Sequence, residues 1–101
     1  MSLEQKLKKY ILASDEPLNC FELGYEYELI EQYASAMGYY LKCAELTKDD
    51  SVAYHSWLRK ARCFDALPDR EAHVRSCCLL AIGILPNRPE AYHLLSVSYE
   101  H

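Results

Sequence analysis

Residues 17–50 read PLNCFELGYEYELIEQYASAMGYYLKCAELTKDD and carry the clearest pattern in this chain. Apolar and small residues recur in the stretch at intervals of three and four, which is the period of an α-helix. Gly24 and Ala36 leave room for two helices to approach closely, while Tyr40 fills the space around that contact. The stretch therefore predicts two packed helices. Their other inward-facing residues are predicted to be Cys20, Leu23, Tyr27 and Cys43.

The helical period continues on both sides of this pair, and no strand pattern interrupts it, so the predicted fold class is all-α. About six helices are predicted, over approximately residues 3–14, 18–29, 34–46, 52–66, 71–85 and 89 onward. Residues 67–70 break the fourth helix, whose N-cap is predicted to be Asp50 or Ser51. Pro89 suits the first turn of the sixth helix, where its missing N–H costs nothing. The first helix is predicted to pack through Leu3, Leu7, Tyr10 and Ile11.

A second helix pair repeats the spacing of the first, with its apolar positions at Tyr54, Trp57, Leu58, Ala61, Val74, Cys78 and Ala81. This recurrence resembles the tetratricopeptide repeat (TPR) family, whose unit is a helix–turn–helix of about 34 residues. The resemblance implies a single domain, residues 1–101, folded as a solenoid of helical hairpins in a right-handed superhelix. It divides the chain into an N-terminal extra helix (1–16), repeat 1 (17–50), repeat 2 (51–88) and a half repeat (89–101). Repeat 2 departs from the family at Trp57 and Leu58, where leucine and glycine are preferred.

Three strings carry a narrower resemblance. They are YASAMGYYLKCAELT at 33–47, AYHSWLRKARCF at 53–64 and ILPNRPEAYHLLSVSYE at 84–100. These strings resemble the TPR region that accompanies glycosyltransferase modules in phage and bacterial proteins. That resemblance implies an alternative function, in which this chain is the targeting or assembly region of a longer enzyme.

Length and charge exclude several functional classes. A chain of 101 residues has room for one core, which argues against most enzymes. Eleven Lys and Arg against fifteen Asp and Glu give a formal charge of -4, so we expect neither nucleic acid nor a membrane surface as partner. The longest apolar stretch, 77–85, is far shorter than the about 20 residues that span a bilayer. Residues 2–9 lack the apolar region of a signal peptide, and we therefore expect a cytoplasmic protein.

The five cysteines show no spacing typical of a zinc site or of a redox motif. Each one lies in an apolar or helical context, which favours reduced thiols packed as small hydrophobic side chains. We expect neither a metal nor another cofactor. The cysteines are Cys20, Cys43, Cys63, Cys77 and Cys78.

The TPR resemblance also implies a binding groove, because in that family the first helix of each unit lines a concave surface that holds peptides. Carried over position by position, the candidate groove residues are Phe21, Tyr25, Glu28, His55, Arg59, Arg62 and His93. The same transfer places Leu18, Glu22, Leu29, Val52, Ser56, Cys63, Glu90, Leu94 and Val97 along the groove.

Two pairs within this set have alternative interpretations. Arg59 and Arg62 lie three residues apart on one helix side, where they could hold a carboxylate or phosphate, or could instead pair with Glu28. Phe21 and Tyr25, one turn apart, could anchor a partner or serve only in packing.

A catalytic interpretation rests on His73 and Cys77, four residues apart on one helix, as a base and a nucleophile. No third orienting group or oxyanion donor accompanies them in the sequence, so we expect a protein that is not an enzyme. The predicted function is a noncatalytic protein–protein interaction module, a scaffold that binds a peptide or another copy of itself.

Self-association is predicted at the last helix. Its residues Tyr92, Leu95 and Tyr99 form an apolar face, and solenoids normally finish with a polar capping helix. The predicted partners are therefore a protein or peptide in the groove and a second copy in a homodimer through this helix.

Overall fold

The computed structural model describes residues 2–100, and this part of the chain folds into six α-helices without a strand. The all-α prediction is confirmed. The helices are α1 (Leu3–Leu12), α2 (Pro17–Leu29), α3 (Tyr33–Leu46), α4 (Asp50–Asp65), α5 (Glu71–Ile84) and α6 (Pro89–Ser98).

The helix starts have local chemical causes. At α1, the Ser2 hydroxyl accepts from the Gln5 amide while the Gln5 side chain accepts from the Ser2 amide, which satisfies two free donors. α6 begins with Pro89, as predicted. The prediction for α4 is wrong: Asp49 caps it, because its carboxylate accepts from the two amides that follow Asp50.

The break between α4 and α5 covers residues 66–70, which include the predicted 67–70. Asp69 adopts a left-handed conformation there, with φ of 58°. Aspartate tolerates this region better than most residues because its short side chain bonds the local backbone. The chain can therefore reverse over the five residues between Asp65 and Glu71.

Each helix packs against its neighbours in sequence, and α4 also contacts α6. The result measures 41 × 28 × 17 Å, with a radius of gyration of 13.4 Å. A compact domain of this length has a radius of about 13 Å, so the chain forms one compact body.

The first core cluster joins α2, α3 and α4 around the buried Tyr40 and Ala36. A Cβ at Gly24 would meet the Tyr40 ring at 2.8 Å and the Ala36 carbonyl oxygen at 3.2 Å. These distances confirm the predicted close approach of α2 and α3, which only glycine permits at this position. Cys63 of α4 completes the cluster.

The second core cluster joins α4, α5 and α6. It consists of Tyr54, Leu58, Ala61, Val74, Cys77, Cys78, Ala81, Ala91 and Leu94, all buried. Small residues from α5 and α6 pack against the larger side chains of α4, so three helices share one interior. Since α4 contributes to both clusters, it connects the two halves of the molecule.

α1 is attached mainly through polar and aromatic contacts, and none of its residues is buried. Tyr10 packs edge-on against Tyr39 at 5.4 Å between ring centroids, and Lys6 pairs with Glu26. The predicted packing of Ile11 is wrong, because this side chain is 75% exposed. A helix that contacts only one side of the α2–α3 pair buries a narrow face, and Ile11 lies outside it.

All five cysteines are free and buried, which confirms that they pack as small hydrophobic side chains. No helix within residues 2–100 has the combined length and apolar character that crossing a membrane requires.

Candidate functional site

An apolar cleft lies between the starts of α2 and α4. It has a volume of about 180 Å³ and is lined by Leu18, Phe21, Ser51, Val52 and His55. An engineered apolar cavity of about 150 Å³ holds a benzene molecule, so this cleft has room for one large apolar side chain. Leu18 is 54% exposed, which leaves the apolar wall open to solvent.

Phe21 packs in the core and also lines the cleft. Its ring packs against Tyr40 at 5.3 Å between centroids, in the first core cluster, and it also forms a wall of the cleft. His55 on the opposite wall packs edge-on against the buried Tyr54 at 5.3 Å. Both walls are therefore held by core residues and are formed before any ligand arrives.

A polar network lies beside the cleft. The Tyr40 hydroxyl donates to Glu28 Oε1 at 2.8 Å, and Arg59 Nε lies 3.4 Å from the same oxygen. The Arg59 guanidinium also lies over the Tyr25 ring, 5.1 Å from its centroid. Burial raises the pKa of the Tyr40 phenol, so it remains a donor at neutral pH. The network joins α2, α3 and α4 through one carboxylate.

The pairing with Glu28, one of the two alternatives for the arginine pair, is present for Arg59. Arg59 pairs with Glu28, with only 28% of its side chain exposed, whereas Arg62 is exposed and takes no part in the network. His93 on α6 is exposed as well. The structure thus brings Phe21 and His55 together in the cleft and places Tyr25, Glu28 and Arg59 beside it.

Three residues predicted to line the groove are buried instead, and that part of the prediction is wrong. They are Ser56, Cys63 and Leu94. Ser56 donates to the Val52 carbonyl at 2.8 Å and contacts Cys43 Sγ at 3.1 Å. Ser56 and Cys63 are buried because α4 packs against α3, α5 and α6 and so buries a wider face than the groove prediction assumes. Leu94 is buried because α6 packs into the second core cluster.

The last helix presents its tyrosines to solvent, with Tyr92 46% and Tyr99 65% exposed, while Leu95 packs partly against the second core cluster. Arg75 of α5 covers one face of the Tyr99 ring at 4.4 Å and donates to the Ser98 carbonyl at 3.0 Å. This contact fixes the end of α6 on α5. The buried face of α6 consists of Ala91, Leu94 and Ser98, which the sequence pattern did not single out as core.

The candidate catalytic pair consists of one exposed and one buried side chain. His73 is exposed and packs on Phe64 at 4.8 Å between ring centroids. Cys77 is buried, and burial raises the pKa of its thiol, which disfavours the reactive thiolate. Within residues 2–100, no three His, Cys, Asp or Glu side chains are grouped so as to hold a metal ion.

Two contributors to the site were not recognised in the sequence. The sequence indicates Ser51 only as a possible helix cap, but α4 begins at Asp50, two residues before its predicted start, and Ser51 lines the cleft. Tyr54 links α4 to α6, because its hydroxyl donates to Glu90 Oε2 at 3.0 Å and accepts from the Ala91 amide at 3.1 Å. No pattern in the sequence indicates that Tyr54 forms hydrogen bonds with residues of α6, which lie far from it in the chain.

No model of a known protein family matches this sequence, and no curated protein matches it either.

Proposed function

We propose that this protein is a noncatalytic interaction module that binds a peptide of a partner protein, with one apolar side chain of the peptide in the α2–α4 cleft. The observation that carries the proposal is the preformed apolar cleft of Leu18, Phe21, Val52 and His55, open to solvent and of the size of one side chain. Binding sites of this kind concentrate their free energy on a central apolar anchor.

The proposal includes a TPR-like arrangement of the helices in a right-handed superhelix. Support comes from the sequential packing of α2 on α3 and of α4 on α5, and from the contact between α4 and α6. The two pairs are also linked in similar ways: Arg59 reaches back from α4 to Glu28 of α2, and Tyr54 reaches forward from α4 to Glu90 of α6. In such an array α2, α4 and α6 line one continuous surface.

A noncatalytic role suits the chemistry of the thiols. Burial raises the pKa of all five cysteines, and His73, the candidate base, lies exposed on α5. A raised thiol pKa disfavours the thiolate that an acyl- or group-transfer reaction needs as its nucleophile, which supports a noncatalytic role.

The test is selection of peptides of about 12 residues from a displayed random library, on the whole protein and on two variants. Leu18→Arg places a charge in the cleft, and Leu80→Arg is its matched control, since Leu80 is 49% exposed on α5. We expect selected peptides to bind the protein and the control alike and to lose at least about tenfold in affinity on Leu18→Arg. Failure to select any peptide, or equal binding to both variants, would contradict the proposal.

A further inference from the structure

The charges around the cleft are not balanced. The cleft lies at the N-terminal ends of both helices that form it: Leu18 is the second residue of α2, and Ser51 is the second residue of α4. Each of these helices is preceded or opened by carboxylates. Glu16 occupies the N-cap position of α2, and Asp49 and Asp50 occupy the N-cap and first positions of α4.

The side chains at these helix starts are available to a partner. Glu16 makes no side-chain hydrogen bond to the helix it precedes, and both Glu16 and Asp50 are exposed. Asp49 is exposed too, although one of its oxygens accepts from the Ser51 and Val52 amides. Glu16, Asp49 and Asp50 together carry three negative charges. Each helix N-terminus contributes about half a positive charge, and the exposed Lys48 adds a further positive charge, so the net charge at these helix starts is negative.

Two carboxylates of α2 beside the cleft are paired within the protein. Glu22, next in sequence to Phe21, lies 3.6 Å from Lys9, and Glu28 is paired with Arg59. Arg59 therefore offers a partner no net positive charge, and the field at the mouth of the cleft is negative because Glu16, Asp49 and Asp50 are only partly offset by Lys48 and the helix N-termini.

Resting on the proposed function, we infer that the partner of the cleft is a peptide whose apolar anchor is flanked by lysine or arginine within about two residues. The apolar walls select the anchor, and the carboxylates at the starts of α2 and α4 select the flanking cations by charge complementarity. The same arrangement disfavours peptides with acidic flanks, because they would place like charges beside Glu16 and Asp50.

The experiment compares peptides selected on the protein with peptides selected on a charge-reversed variant, Glu16→Lys with Asp50→Lys. The matched control is Glu4→Lys with Glu71→Lys, because these residues also lie at helix starts, but in α1 and α5, which contribute no residue to the cleft. Thermal unfolding followed by circular dichroism checks that both double variants are folded. Affinity is then measured for one selected peptide at low and at high salt.

We expect peptides selected on the protein and on the control to be enriched in Lys and Arg next to an apolar residue. Their affinity should fall at least about tenfold on charge reversal and should weaken as salt screens the attraction. Peptides selected on the charge-reversed variant should lose the basic flanks.

The outcomes separate this inference from the proposed function. If peptides are selected and lose binding on Leu18→Arg, but carry acidic or uncharged flanks or are insensitive to charge reversal, the inference is wrong and the proposed function stands. If no peptide is selected, or if Leu18→Arg has no effect, both are wrong.

Discussion

Gly24 and Tyr40 are in direct contact: a Cβ at Gly24 would lie 2.8 Å from Cε1 of the tyrosine ring. Tyr40 is fully buried, and its hydroxyl is held by Glu28, so the ring has no room to move away. The close approach of α2 and α3 therefore depends on the absence of a side chain at one position.

Gly24→Ala should destabilise the protein by about 1–3 kcal/mol, because the added methyl group overpacks the contact with Tyr40. Gly38→Ala is the matched control in α3, where a Cβ meets nothing within 4 Å. It should stabilise the protein by about 0.5–1 kcal/mol, since alanine loses less backbone entropy in a helix. Urea unfolding measures both, and effects of the same sign would refute the account of this contact.

Tyr54→Phe should cost about 1–3 kcal/mol, because it removes the acceptor of the buried Ala91 amide and the donor to Glu90. The loss should appear as a lower midpoint of thermal unfolding. Tyr92→Phe on α6 is the control, because the Tyr92 side chain is 46% exposed, and its effect should stay within about 0.5 kcal/mol. Equal effects of the two substitutions would show that the Tyr54 hydroxyl does not stabilise α6.

The free energy of unfolding should fall as the pH rises above about 9. Burial raises the pKa of Cys63 from its ordinary 9.0 to about 12 and that of Cys78 to about 11. A thiol whose pKa is raised by folding stabilises the protein fully below pH 9, and this stabilisation is lost between pH 9 and about 12, as the unfolded chain ionises first. Urea unfolding between about pH 8 and about pH 11 measures the slope.

The contribution of one thiol to that slope is separable. Cys63→Ala lowers stability at every pH because it leaves a small cavity, but it should make the alkaline loss shallower. A slope that Cys63→Ala leaves unchanged would rule out ionisation of this thiol as a cause.

Self-association through α6 is expected to respond to Tyr92, which is 46% exposed on the outer side of that helix. Tyr92→Lys should convert a dimer into a monomer in light scattering of a size-exclusion eluate, because a charge is costly in an apolar interface. Leu29→Lys on α2, at a side chain that is 59% exposed, is the control and should leave the mass unchanged. A protein that is monomeric at high micromolar concentration would contradict the prediction.

Deletion of the whole of α6 would not test self-association, because it would also remove part of the core. Ala91 and Leu94 belong to the second core cluster, and the Ala91 amide is bonded to Tyr54. Removal of residues from Pro89 onward should therefore unfold the α4–α5 pair rather than only separate two copies.

The amino-acid sequence by itself determined the six helices, their turns and the contact at Gly24. These features depend on interactions between residues close in sequence, or on a pattern of small and large residues that recurs at the helical period. The burial of the five cysteines followed from the same pattern.

Only the tertiary structure decided which sides of the helices face solvent and which charges are already paired. Arg59 is bound to Glu28 and Ser56 is buried because α4 packs against several helices at once, whereas Ile11 is exposed because α1 covers a single edge. Helical periodicity identifies an apolar stripe but not the number of helices that pack around it. That number depends on contacts between residues distant in sequence, and it determined which predicted groove residues remain available to a partner.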